Sequence, residues 1–270
     1  SRDLEEIVAE AKNLVRSGAR ELVVIGQDTT ALGLDTQGRP LLGRLLTRLD
    51  ELEGDGLKWV RLMYTNPLFW DEALIDDFAA SRTACHYVDM PIQHSVDSVL
   101  HRMGRGYTGE HCRWLARRLR EVIPHVALRT SIIVGFPGET DADHRSVLDF
   151  LEEIRFDRLV AFPYFPEKGT SAFLLDGRVD DAVQKTRLEK LLKLQAGISR
   201  EKNRSFAGHT LDVLVDDPGS DSAPARGRSY REAPEVDGVI RFPGLGLRAG
   251  QFIRVRITAG QTFDLTGVPI

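Results

Sequence analysis

Cysteine is nearly absent from this chain. The 270 residues include two, Cys85 and Cys112, in neither a C-x-x-C nor a Cys/His spacing, which excludes a disulfide-built scaffold and reads as two free, reduced thiols that ligate no metal. Long apolar runs are missing too. Nothing approaches the roughly 20 residues of a membrane span, and residues 1–20 lack a hydrophobic signal core, so the expectation is no membrane partner and a cytoplasmic address. Nor is there an excess of positive charge: the net value is -4 at pH 7, which excludes a molecule that wraps nucleic acid by charge alone. The glycine turn in "IIVGFPGET" has no lysine behind its last glycine, where Glu139 stands instead, so a Walker-type phosphate loop is excluded. It lacks the three-glycine spacing of a dinucleotide loop as well.

What is present is βα repetition over the first two thirds. β-branched runs at 21–25, 59–63, 86–90, 127–134 and 158–162 alternate with helical periods at 4–16, 41–52, 70–80, 110–122, 143–154 and 181–203. Right-handed crossovers allow a doubly wound sheet or part of a (β/α) barrel. The barrel is favoured because the chain opens on a helix, as though a first strand lay upstream. Polar or glycine-rich residues also follow every strand, where barrels keep their chemistry. After about Ser205 the texture changes to short alternating runs at 210–215, 238–242, 252–257 and 263–266, split by turn-rich pieces such as "DDPGSDSAPARG". The expected architecture is α/β, a partial (β/α) barrel over 1–204 followed by a small antiparallel β-barrel over 205–270. That tail carries seven arginines, no lysine and eight acids, a net of -1. A phosphate-binding face would be basic, so a protein partner, with weak or no direct nucleic acid binding, is the expectation.

Part of the glycine motif only starts a helix: Thr140 and Asp143 have capping-box spacing, and Pro137-Gly138 makes a tight bend. Glycines at a strand end also let a flat ring approach the main chain, and an adenine would fit.

Four motifs in order, "GQD", "MPIQHSVDSVLHRMGRGYT", "IIVGFPGET" and "AFPYFPEKGTSA", with the tail "GRSYREAPEVDG", together resemble the methylthiotransferase branch of the radical S-adenosylmethionine enzymes. The tail resembles the family's TRAM module, in the wording of members that modify an aspartate of small-subunit ribosomal protein twelve. The resemblance spans essentially the whole chain. It implies a radical-SAM-type barrel, a cofactor S-adenosylmethionine and two [4Fe-4S] clusters held on cysteines. One-electron reduction of the cofactor would give a 5'-deoxyadenosyl radical that takes hydrogen from the target β-carbon, with sulfur insertion and methyl transfer following. An external electron donor is implied, and a ribosomal protein of the small subunit met through the C-terminal β domain.

The chain departs from the family in having no three-cysteine cluster loop. The expectation is that Ser1 lies just downstream of that loop, so that the ligands are outside this chain and residues 1–270 alone are inactive. Catalytic residues are left unassigned. By resemblance Gln27 and Asp28 grip the methionine amino group and Gln93 and Ser95 meet the ribose. Gly135, Phe136 and Gly138 face the adenine or the sulfonium side, Phe162 and Tyr164 add flat surface, and Arg129 pairs with a carboxylate of cofactor or substrate. Arg102, Arg105, Tyr107 and Glu167 are candidate substrate contacts. For each a bland alternative stands beside it: a turn cap for Asp28, a surface loop for Gln93 and Ser95, core packing for the aromatics, a solvated face for the charged residues. His94 is read as a loop hydrogen-bonder. Two other functions remain open, a methylthiotransferase acting on an adenosine of transfer RNA and a non-catalytic ribosome-binding module.

Overall fold

Asp3 accepts the backbone N–H groups of Glu5 and Glu6 and so starts the first helix, α1 (Leu4–Arg16). Its buried stripe of Leu4, Val8, Ala11 and Val15 follows the 3.6-residue period and covers the sheet edge. The computed structural model describes residues 1–244 and 246–270. After α1 come β1 (Glu21–Val24), a single turn α2 (Leu34–Gln37), α3 (Leu42–Asp50), β2 (Trp59–Leu62), α4 (Glu72–Ala80), β3 (Ala84–Asp89), the short α5 (Asp97–Arg102), α6 (Gly109–Val122), β4 (Ala127–Val134), α7 (Asp141–Ile154), β5 (Arg158–Pro163) and the long α8 (Asp181–Ser205). The strands pair in parallel in the order β1-β2-β3-β4-β5, each joined to the next by a helical crossover.

Alternation along each strand decides which face meets what. Val60, Leu62, Val88, Leu128 and Ile132 point outward into the core shared with the helices. Met63, Cys85, Tyr87 and Ala127 line the concave face. This is an open, partial barrel.

The second unit is a closed barrel in the order β10-β8-β7-β6-β9, built from β6 (Thr210–Asp217), β7 (Ala225–Arg228), β8 (Ile240–Phe242), β9 (Phe252–Gly260) and β10 (Leu265–Pro269). It is not wholly antiparallel, as the sequence suggests: β10 closes on β8 in parallel, over Leu265↔Ile240 and Thr266↔Arg241. Strand β7 is also an addition to the sequence reading.

The segment between β7 and β8 leaves the small barrel and enters the lower half of the concave face. There Arg61, fully buried, pairs with Glu21 at 2.8 Å and donates to the carbonyls of Tyr230 and Ser229. Arg158 meets Glu232 at 3.1 Å, Arg231 meets Asp157 at 3.2 Å, and Arg228 reaches Glu21. Tyr87 donates to Asp237 at 2.7 Å, Arg231 lies 3.7 Å over the Phe206 ring, and Trp59 stacks edge-on with Phe252 at 4.7 Å. Each of these charges is out of water, so each needs its partner.

Burial pushes the Asp157 carboxyl up, but Arg231, Lys202 and the Leu128 N–H together hold it below the ordinary carboxylate value. A depressed folded pKa gives stability that is present above the unfolded value, about 3.9, and is lost as pH falls through the folded one. Asp157→Asn should therefore cost about 3 kcal/mol at pH 7, by leaving buried Arg231 without its counter-charge. The variant should also flatten the acid limb of the stability profile, both read by urea unfolding between pH 7 and pH 3. Because the two units share this seam, tryptophan fluorescence, from Trp59, Trp70 and Trp114 together, and far-UV circular dichroism should report a single coincident transition.

Candidate functional site

The upper half of the concave face, at the carboxyl ends of the strands, is open. Val23, Ile25, Tyr64 and Phe162 are exposed there, Tyr64 although it directly follows the well-buried end of β2. Two of the residues following these strands, Tyr64 after β2 and Gln93 after β3, have left-handed backbones at φ 58 and 64. Non-glycine residues held in that region are strained, and such strain collects at sites that something else over-determines. After β4, Gly135 continues the row at φ 73.

The turn that follows β4 is fixed from within. Gly135 donates its N–H to the Glu139 carboxylate at 2.6 Å, and Glu139, nearly buried, is held in turn by Arg187 of α8 at 2.9 Å. Gln184 of α8 lies so close that a Cβ on Gly135 would sit 2.3 Å from its Cγ. Gly138, at φ 86, donates to the Gly177 carbonyl at 2.8 Å. The capping box forms, with Thr140 and Asp143 each bonded to the other's backbone, and it starts α7. The turn therefore starts a helix as its sequence suggests, but its main chain is not bare: Gly135 is buried, with its N–H on Glu139 and its carbonyl accepting from Gln184.

Gln27 is exposed beside Gly26 in a cleft of about 670 Å3 lined by Ile25, Asp28, Thr29 and Ser1. Asp28 is occupied as a turn cap: its Oδ1 accepts the N–H groups of Thr30 and Ala31 and the Thr30 hydroxyl, and its Oδ2 accepts from Asn66 at 3.0 Å. Gln93 spans β4 through its backbone, donating to Ser131 and accepting from Ile133, which leaves its side chain free at the tip. Ser95 is buried with a hydroxyl that has no partner. His94 is fully buried, its Nδ1 accepting from Val96 at 3.0 Å and its Nε2 3.7 Å from Glu139.

Other expected contacts lie elsewhere. Phe136 is buried, edge-on to Tyr164 at 5.1 Å, so it supports the turn from beneath and does not offer a free ring. Tyr164 lines a groove against α8 with Arg178 and Lys185, whereas Phe162 does stand in the open mouth, 52% exposed. Arg129 sits low in the concave face, paired with Asp89 at 2.7 Å and 3.6 Å from Asp237. It finds its carboxylates within the chain, because β4 starts at the plugged end.

Arg102 clamps the glycine turn by donating to Pro137 O and to Asp176. Tyr107 is corrected from a partner contact to a strut: it is buried and donates to the Ile92 carbonyl at 3.1 Å, and burial raises its phenol. Arg105 is partly buried and its Nε has no partner. Glu167 is exposed, its carbonyl capping the Thr170 turn. Glu139, Tyr64 and Asn66 are the residues that sequence reasoning did not assign to the site. Their signals were the place of an acid inside a glycine turn and a polar pair directly after a strand.

Among the described residues no group of three or more His, Cys, Asp or Glu could hold a metal ion. Both cysteines are buried, and burial pushes each thiol up to about 12, so neither offers the thiolate that iron–sulfur ligation needs. At the strand tips the Gln27 and Gln93 amides have no hydrogen-bond partner among the described residues and the buried Ser95 hydroxyl is unsatisfied, whereas Gly135 is buried, its N–H held by Glu139 and its carbonyl accepting from Gln184 at 3.4 Å.

Comparison with known proteins places these features. Residues 1–151 match the radical SAM superfamily and residues 207–270 the TRAM domain. The ribosomal protein uS12 methylthiotransferase RimO of Geobacter sulfurreducens is 42% identical over 268 residues, 99% of this chain and 60% of that protein. Its namesake in Heliobacterium modesticaldum is 43% identical over 272 residues, 100% of this chain and 58% of that one. The chain thus spans about three fifths of the length of these relatives. Among solved structures, coproporphyrinogen III oxidase of Escherichia coli, a radical SAM enzyme, superposes with a TM-score of 0.51 at 16% identity, covering 77% of this chain and 49% of that one. At that identity the likeness concerns the fold alone.

Replacing Gly135 by alanine forces a side chain onto a left-handed backbone and against Gln184, and is expected to cost about 1–3 kcal/mol. Urea unfolding measures the loss, which Gln184→Ala in the same chain should partly recover.

Proposed function

Because the chain belongs to the radical SAM superfamily, we propose that it forms the S-adenosylmethionine-binding barrel and TRAM module of a methylthiotransferase that modifies the β-carbon of an aspartate in ribosomal protein uS12. The observation that carries this reading is identity of about 40% to uS12 methylthiotransferases over essentially every residue, joined to a barrel whose strand tips are open on one side only.

In this reading the cofactor lies across the tips of β1, β3 and β4. The Gln27 amide oxygen accepts from the methionine ammonium, while Asp28, already committed to the Thr30 turn and Asn66, holds the loop that presents it. Gln93 and Ser95 hydrogen-bond the ribose hydroxyls, and the Ser95 hydroxyl gains the partner that burial otherwise denies it. The adenine packs beside the glycine turn, whose main chain at Gly135 is already engaged by Glu139 and Gln184, so the turn is fixed before any ligand arrives, a preorganisation that lowers the cost of binding. Phe162 and Ile25 flank the mouth and exclude water from it. When bound, S-adenosylmethionine would supply a hydrogen-abstracting carbon radical and, from a second molecule, the methyl group.

The two cysteines do not fit a cluster, so the cluster ligands, two [4Fe-4S] centres in the family pattern, are assigned to the longer protein of which the relatives are examples. Residues 1–270 alone are accordingly expected to bind the cofactor without turning it over. The TRAM module is proposed to meet the ribosomal protein directly, since its charge is balanced, and no helix among the described residues is long and apolar enough to cross a membrane.

Equilibrium dialysis of the chain against labelled S-adenosylmethionine tests the site. Gln93→Ala should weaken binding about fivefold, the worth of about one neutral hydrogen bond, and Arg254→Ala, exposed on β9 of the small barrel, should leave it unchanged. The reaction itself is tested with the full-length protein, reconstituted anaerobically with iron and sulfide and given uS12. Mass spectrometry should find hydrogen replaced by a methylthio group on an aspartate. Intact clusters with no such product would refute the assignment.

A further inference from the structure

Behind the glycine turn, on the outer side of the barrel, the first turns of α7 and α8 leave a groove of about 400 Å3. Its walls include Asp141, His144, Arg145, Arg187 and Lys190, three permanent cations against one carboxylate. Arg187 divides its terminal nitrogens between Glu139 at 2.9 Å and Asp141 at 2.7 Å, while its Nε is enclosed without a partner. The His144 side chain is 7% exposed, with Nδ1 3.9 Å from Glu139 and Nε2 buried and unpartnered. Arg145 and Lys190 are exposed on the rim, and neither forms an ion pair among the described residues. The surplus charge is felt within the groove: both rim cations help to lower the Asp141 carboxyl, after the larger effect of Arg187.

Unpartnered buried nitrogens each cost about 1–3 kcal/mol, and two of them beside unpaired cations make a receptor for an oxyanion. The groove is lined by no Phe, Tyr or Trp, and its one ring, the His144 imidazole, is nearly enclosed, so no exposed face is left on which bases could stack, which separates it from a single-stranded nucleic acid channel. We propose that this groove binds a small free oxyanion of the phosphate class, inorganic phosphate or a phosphate monoester, through Lys190, Arg145 and Arg187, and that its occupancy reaches the strand tips through Arg187 and Glu139. The wiring is short. An anion that draws on Arg187 competes with the Glu139 carboxylate, and that carboxylate is what holds the Gly135 N–H. Coupling of this kind is reciprocal, so a ligand at the glycine turn changes the affinity of the groove by the same factor.

The test titrates the chain with sodium phosphate against sodium chloride at equal ionic strength, following the melting temperature and the His144 ring signals by NMR. A saturable rise in melting temperature, with a His144 shift that saturates in parallel, is the expected result. The double variant R145A/K190A, altered only on the exposed rim, should melt normally in chloride and bind phosphate at least about tenfold more weakly, the loss expected for a charge-assisted hydrogen bond. A second arm measures S-adenosylmethionine affinity with and without phosphate, expecting a change in the native chain that the double variant lacks. Only this arm rests on the proposed function, so its failure alone leaves the anion site standing. Three results would overturn the site: a response that never saturates, phosphate binding that survives the double variant unchanged, or binding of an oligonucleotide with none of phosphate.

Discussion

Buried charge is what the rest of this molecule has to satisfy. Arg61, Arg158 and Arg231 lie out of water at the seam between the two units, where an isolated ion would be prohibitively costly. Each is matched across the seam: Arg61 by carbonyls of the 229–230 stretch, Arg158 by Glu232, Arg231 by Asp157. The attraction within such pairs does little more than offset their desolvation, so their main effect is on specificity, since any other seating of the small barrel strands several charges at once. This fixes the depth to which the 229–237 segment enters the concave face. The same depth divides the barrel into a filled lower half and an open upper half, and the cofactor site proposed for the chain lies in the upper one.

A second constraint acts at the glycine turn. Its shape is set by a carboxylate inside the loop, and that carboxylate answers to Arg187 on the last helix of the barrel. The helix is therefore more than a cover for β5: through Arg187 and Gln184 it holds the position of the whole turn that follows β4. Arg102, from the opposite side, ties the same turn to Asp176.

Much of this was legible in the sequence. The five parallel strands fall within two residues of the β-branched runs, and α1 agrees to the residue, because long amphipathic periods leave few alternatives. Strand β7 was not legible, since its inward positions are Ala225 and Gly227, with no apolar alternation to see. A side chain at Gly227 would strike the Leu214 carbonyl at 2.4 Å, so the strand is glycine-bearing because its neighbour is too close. The parallel closure of β10 on β8 has no local signature at all. At the site, spacing located the tips but not their orientation. Arg129, at the start of its strand as the sequence indicates, reads as a partner for a cofactor or substrate carboxylate, yet it turns toward the plug and pairs with Asp89 and Asp237, and Tyr107 looks like a loop aromatic although its ring is enclosed. Such choices are made by tertiary partners many residues away, which local pattern does not encode.

The seating of residues 229–237 also bears on how such a chain can diversify. Since the tail supplies counter-charges to the barrel wall, the two units are not modules that recombination can exchange freely. A graft carrying a different tail would inherit orphaned guanidinium groups in its floor. Lineages that alter the partner-facing side of the small barrel must do so on its outer strands while keeping that one inserted stretch nearly constant, so drift should be fastest farthest from the seam.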